Sequence, residues 1–299
     1  SMKHWKPAVI AALWSGALYA APMPVVASFS ILGDVAQQIG GERVAVQSLV
    51  GANQDAHAYN LTSGDIKKIR EARLVLLNGL GLEKAELQRA VKQSKVASAE
   101  ATAGIKPLAA DEHHHEHNHG HDHDHGEFDP HVWNDPVLMQ RYAANVAIAL
   151  IKADPAGSRY YQQRFKDYQN VLNQLNNYAN QQFGAVAPAK RKVLTGHDSF
   201  AYLGKRYQVK FISPQGVSSE AEPSARQIAA IIRQIKAENV KAVFTENIKD
   251  GRMIARIAKE TGVKVSGGLY ADALSSGAPA GTYADMFRYN VRVMSEAMK

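Results

Sequence analysis

The sequence predicts an α/β protein of two lobes with parallel sheets, joined by one long helix. Three observations carry this. Strand-length and helix-length apolar patterns alternate from Val25 to Val91 and again from Lys192 to Met298. Between them, Tyr161, Phe165, Tyr168, Leu172, Leu175 and Ala179 recur at intervals of four and three, a single apolar stripe on one helix. A length of 299 residues, at roughly 100 to 200 residues per domain, argues for two cores rather than one. The expected division is a leader over 1–21, a first lobe over 22–153, a linking helix over 154–184 and a second lobe over 185–299.

In order, Val25 to Phe29 reads as a strand, Ile31 to Ile39 as a helix, and Val44 to Val50 as a strand stopped by Gly51. A helix over Ser63 to Glu71 is capped at Thr62 or Ser63, followed by the apolar run Leu74 to Leu77 and a helix around Leu82 to Val91. Alternation of this kind favours parallel strands flanked by helices. Pro136 opens a helix to Lys152, and beyond the breaker Asp154-Pro155 the striped helix runs from about Ser158 to Phe183, roughly 39 Å at 1.5 Å per residue. The second lobe has strands at Lys192 to Thr195, Lys210 to Ile212, Ala242 to Thr245 and Val263 to Ser266. Helices are expected at Ser224 to Glu238, Gly251 to Thr261 and Tyr283 to Met298.

Composition narrows the functions. Hydrophobic residues make up 45% and charged residues 21%, which excludes disorder and a polytopic membrane protein. The chain has no cysteine, so disulfides, thiolate metal sites, cysteine nucleophiles and an acylated cysteine anchor are all excluded for it. Lys3 and Lys6 precede an apolar stretch, Pro7 to Ala20, too short to span a bilayer and ending in small residues. This reads as a cleavable signal peptide, cut after Ala20 or Ala21. An exported, periplasmic protein with no stable membrane anchor is the expectation, and its modest net charge of +7 gives no reason to expect nucleic acid as a partner.

Residues 111–127 depart from the rest. They hold eight of the twelve histidines, namely His113, His114, His115, His117, His119, His121, His123 and His125, with acids and no Lys or Arg. Lacking aliphatic residues, this segment cannot build a core and reads as a mobile loop inserted in the first lobe. Neutral imidazoles and carboxylates interleaved in this way can bind divalent ions, though each site would cost chain entropy to form.

Outside the leader and this loop, three histidines remain: His57, His131 and His197. Each lies near an expected strand end, where open α/β sheets bind ligands, and Asp272 occupies an equivalent place. Three imidazoles and one carboxylate form a set suited to Zn²⁺, and a full protein shell argues against catalysis. Their wide separation forms no local motif, so the pattern alone leaves ligation level with the bland reading of helix caps and hydrogen-bonded histidines. Trp133 and Phe200, beside His131 and His197, are expected to pack the wall of such a site. Asp198 is expected to cap the helix beginning near Ser199, ahead of orienting an imidazole.

Four segments carry a resemblance: Asp55-Ala56-His57-Ala58-Tyr59, Asp129-Pro130-His131-Val132-Trp133, Gly196-His197-Asp198-Ser199-Phe200 and Leu269-Tyr270-Ala271-Asp272-Ala273-Leu274. In this order they resemble the metal-binding solute-binding proteins of ABC transporters, the zinc and manganese receptors. That resemblance implies two α/β lobes joined by a rigid helix, with His57, His131, His197 and Asp272 as metal ligands in the cleft. It also implies delivery to an inner-membrane ABC permease for zinc, no enzymatic reaction, and a monomer. His at the third position resembles the zinc receptors. Some relatives replace the final Asp, so Asp55 and Glu246 stand as substitute ligands. Comparable His-rich loops are thought to help collect metal. The competing readings are a zinc hydrolase, which would leave a coordination position open for water and for which no HExxH is present, and an adhesin or metal buffer on the same scaffold.

Overall fold

The computed structural model describes residues 21–110 and 128–299. The expected leader, apart from its last residue, and the expected His-rich loop with its eight histidines lie outside the described residues. The first lobe starts with β1 (Met23–Phe29), whose apolar side chains are nearly all buried, then α1 (Ser30–Gly40) and β2 (Val44–Val50). β1 pairs with β2 in parallel, Val25 opposite Val46. α2 (Ser63–Glu71) starts at a capping box, in which Thr62 accepts from the Asp65 backbone N–H and Asp65 accepts from that of Thr62. It leads to β3 (Leu74–Leu77), buried on both faces as a central parallel strand must be, then α3 (Ala85–Ser94) and β4 (Ala97–Glu100).

α4 (Met139–Ala153) and α5 (Ser158–Gly184) follow. The second lobe repeats the plan with β5 (Lys192–Leu194), α6 (Ala201–Tyr207), β6 (Lys210–Ile212), α7 (Ala225–Glu238), β7 (Ala242–Glu246), α8 (Arg252–Thr261), β8 (Gly267–Leu269) and α9 (Tyr283–Met298). Strand order is β2-β1-β3-β4 in one sheet and β6-β5-β7-β8 in the other, all parallel. Each sheet therefore reverses its winding beside its first strand, and the loops at the carboxyl ends face a crevice there.

α5 is the helical connection, 27 residues and so about 40 Å long. The predicted stripe is its buried face: Tyr161, Tyr168, Leu172, Leu175 and Ala179 are buried and Phe165 partly so. It packs on α4 and α1 of the first lobe and on α9 of the second. The Asp34 carboxylate on α1 also accepts the Tyr283 backbone N–H at the start of α9, 2.8 Å away. One continuous apolar core consequently runs from Met23 to Met298 through both lobes, with smaller cores under α2 and α3 and under α7 and α8.

The structure differs from expectation in a few elements. β8 lies at Gly267–Leu269 rather than Val263 to Ser266, because Val263 and Val265 pack against the outer core while the glycine pair supplies the ladder to Phe244 and Thr245. β4 was not foreseen: its mostly exposed Ala-Ser-Ala-Glu has neither apolar alternation nor a buried face. α3 begins at Ala85 rather than Leu82, since Glu83 turns inward to bind backbone. α4 begins at Met139, after a short turn stabilised by Asp135. Among the described residues, no helix is long and apolar enough to cross a membrane.

Candidate metal centre

Four loops at the crevice deliver one donor each. His57 sits in the loop after β2, His197 follows β5, Asp272 follows β8, and His131 immediately precedes the short 3-10 turn Val132–Asn134. Local sequence fixes two of these turns in the same manner. In Asp55-Ala56-His57 and Asp129-Pro130-His131, the Asp Oδ1 accepts the backbone N–H of the histidine two residues on, at 2.9 Å in each. This is the Asx turn, in which a short carboxylate replaces a backbone acceptor. His197 is held by a bridge to Gln215 beyond β6.

The donors converge. His57 Nε2 lies 2.7 Å from Asp272 Oδ2, His197 Nε2 2.9 Å from the same oxygen, and His131 Nε2 3.2 Å from Asp272 Oδ1. The four donor atoms all lie within 4.8 Å of one another, and all four residues are buried. The sequence-predicted residues are thus brought to one point, all three imidazoles turning Nε2 inward.

Two carboxylates behind them set that orientation. Asp129 Oδ1 lies 2.7 Å from His131 Nδ1, and Glu246 lies 2.7 and 2.9 Å from His197 Nδ1. A proton on Nδ1 directed at carboxylate leaves the Nε2 lone pair for a cation, the arrangement that orients metal-binding histidines. Gly196 leaves room for it: a Cβ there would stand 3.2 Å from Glu246 Oε2. Asp55 and Glu246, the substitute ligands, lie outside the four-donor cluster and support it from behind. Asp198 is not the cap of α6, whose cap position is Phe200 with no side-chain acceptor; the helix starts at Ala201, two residues beyond Ser199. Phe200 stacks on Phe211, and Trp133 is buried edge-on to His131, both packing residues as expected.

Sequence reasoning did not single out Asp129. Its signal was the repeated Asp-x-His pattern at His57 and His131.

The electrostatics of the cluster favour a positive charge among its donors. Burial opposes an imidazolium at His131, but Asp272 and Asp129 outweigh it and raise its pKa to about 9. Burial likewise opposes charge on His197, and Glu246 and Asp272 push its pKa well above the ordinary value. The Asp272 carboxyl is pushed up by burial, yet the three imidazoles hold it well below the usual carboxylate range. Its Oδ1 is buried and accepts no hydrogen bond, its contact with His131 lying outside hydrogen-bond geometry. Such an oxygen is costly to leave unpaired, and a cation among the four donors would satisfy it.

Two parallel-sheet lobes joined through a helix, with a buried three-nitrogen, one-carboxylate cluster in the crevice, define a metal-binding solute receptor. The chain matches the family model described as "Zinc-uptake complex component A periplasmic" over residues 25–297, and it belongs to that family, whose members are extracytoplasmic metal-binding receptors of ABC transporters rather than enzymes. It is 32% identical over 287 residues to the manganese-binding lipoprotein MntA of Bacillus subtilis, covering 93% of this chain and 90% of the relative. In structure it is similar to the periplasmic zinc binding protein TroA from Treponema pallidum, with a TM-score of 0.84, 26% identity, and 93% and 99% of the two chains covered. The Mn-bound periplasmic metal binding protein from Candidatus Liberibacter asiaticus gives a TM-score of 0.78 at 28% identity, covering 93% and 100%.

Proposed function

We propose that this chain is a periplasmic zinc receptor, exported by a cleavable leader, that holds Zn²⁺ through His57, His131, His197 and Asp272 and hands it to an inner-membrane ABC permease as a monomer. The observation that carries this reading is the donor set: three Nε2 atoms and one carboxylate within 4.8 Å of one another, two of the imidazoles backed by carboxylates. Imidazole-rich, four-donor sites suit zinc, whereas manganese prefers oxygen ligands and higher coordination. The His-rich loop over 111–127 would gather metal for the tight site when zinc is scarce.

Manganese is the second reading, because Asp272 Oδ1 accepts no hydrogen bond and could add a fifth donor. A relative and a structural neighbour are also named for manganese. Titration of metal-free mature protein, and of a form lacking residues 113–125, with zinc and with manganese under chelator competition at pH 7 separates these. One tight zinc site in both forms supports the zinc receptor. Tighter manganese binding transfers the assignment to manganese, and loss of the tight site in the shortened form makes the chain a His-rich metal buffer.

A further inference from the structure

The segment 129–135, which carries His131, belongs to the first lobe by sequence yet is fastened to the second. Tyr202 Oη on α6 donates to the Asp129 carbonyl at 2.6 Å, and Asn134 Nδ2 donates to the Ser199 carbonyl, two residues beyond His197, at 2.7 Å. Trp133 Nε1 donates to the carbonyl of Ala271, next to Asp272, at 2.9 Å, and the Trp133 carbonyl accepts from Tyr283 Oη at 2.6 Å. All four bonds are buried, so separating the partners would break them together with the packing that shields them. The same segment is tied to its own lobe through Asn78 Nδ2 and the Pro130 carbonyl, 3.1 Å apart. It therefore pins the two lobes together at the metal centre.

His57 is held differently. Its loop, residues 51–62, contains neither helix nor strand, and it meets the second lobe at the rim of the crevice. There the Asn53 backbone N–H donates to the Leu274 carbonyl at 2.8 Å, Asn247 Nδ2 donates to Asn53 Oδ1 at 2.9 Å in an exposed bond, and Ser219 Oγ donates to Asp55 Oδ2. Water can replace the exposed contact at little cost. His57 is 8% exposed where the other three donors are 0%.

We propose that the cation rests on three fixed donors, His131, His197 and Asp272, and that capture and release run through one movable arm, the His57 loop. Trp133, Asn134, Tyr202 and Tyr283 are the positioning residues that keep the fixed three in register. This rests on the metal-receptor reading above but divides the site three to one, where a cleft opening between lobes would divide it two to two.

Hydrogen–deuterium exchange of the full chain, metal-free and with zinc, tests the division. In the metal-free protein, amides of residues 53–58 should exchange at least about tenfold faster than those of 132–135, and zinc should slow the first group by a similar factor and the second by less than about twofold. Equal protection gained by both groups, or equal rates in the metal-free protein, overturns the proposal. Ser219→Ala removes a side-chain contact of the arm alone and should speed zinc release to a chelator about fivefold, with exchange of residues 132–135 in the metal-free protein unchanged. An unchanged release rate also overturns it. The metal-free comparison needs no ion, so a chain that fails to bind zinc would sink the receptor reading while the three-to-one division is still measured.

Discussion

Glu246 touches no other donor of the cluster, yet it decides which nitrogen of His197 faces inward. Glu246→Gln keeps the size but weakens the anchor, and the expected outcome is a loss of about 10- to 100-fold in metal affinity, read by chelator competition. Protonation gives a second expectation. The folded pKa of His131, about 9, lies above the unfolded value near 6.5, so its pairing with Asp272 and Asp129 stabilises the metal-free protein fully below pH ~6.5 and is lost as pH rises through about 9. Metal affinity should run the opposite way, because the proton must leave: it should rise by about tenfold per pH unit for each proton displaced, as measured by competition between pH 6.5 and 9. The three imidazoles that converge were legible because only His57, His131 and His197 lie outside the leader and the His-rich run, whereas Asp272 is one of many carboxylates and stood out only by its place after an expected strand and by the resemblance. The orienting partners were less so. Asp198 stood beside His197 in sequence, whereas Glu246 reaches it from the end of a neighbouring strand, a proximity that only the sheet order creates.

At the scale of elements, legibility followed the strength of the local signal. α2 was located to the residue because Thr62 and Asp65 close a reciprocal cap, and Thr62→Ala should cost about 1 kcal/mol in denaturant unfolding with metal affinity unchanged. α5 was legible because its stripe persists over several turns and is the face that packs. Leu172, fully buried in that stripe, should cost about 2–5 kcal/mol when replaced by Ala, checked by the same unfolding experiment. β8 was displaced and β4 missed for one physical reason. Both are short strands whose place is set by the neighbour that pairs with them, the first through a glycine pair with no side chains to reveal it and the second through a largely exposed face.

For the whole molecule, the sequence pattern gave two lobes and a helix between them, and from that plan alone two independently folding units would be expected. The packing argues otherwise. The main apolar core runs unbroken through both lobes, α5 and α9 bury their stripes against each other, and Asp34 of the first lobe binds the start of α9 in the second. The segment 129–135 adds buried hydrogen bonds across the same boundary. Removing either lobe would expose the apolar surface that the other shares with it, so neither lobe is expected to fold stably alone. Scanning calorimetry of the metal-free protein should accordingly show one cooperative transition, with calorimetric and van't Hoff enthalpies equal; two resolved transitions would mean that the shared core does not couple the lobes. Because the four donors come from loops of both lobes, a bound cation should raise that single transition as a unit. Free zinc at 100 times its dissociation constant should add about 2.7 kcal/mol of unfolding free energy, and a chelator should remove it.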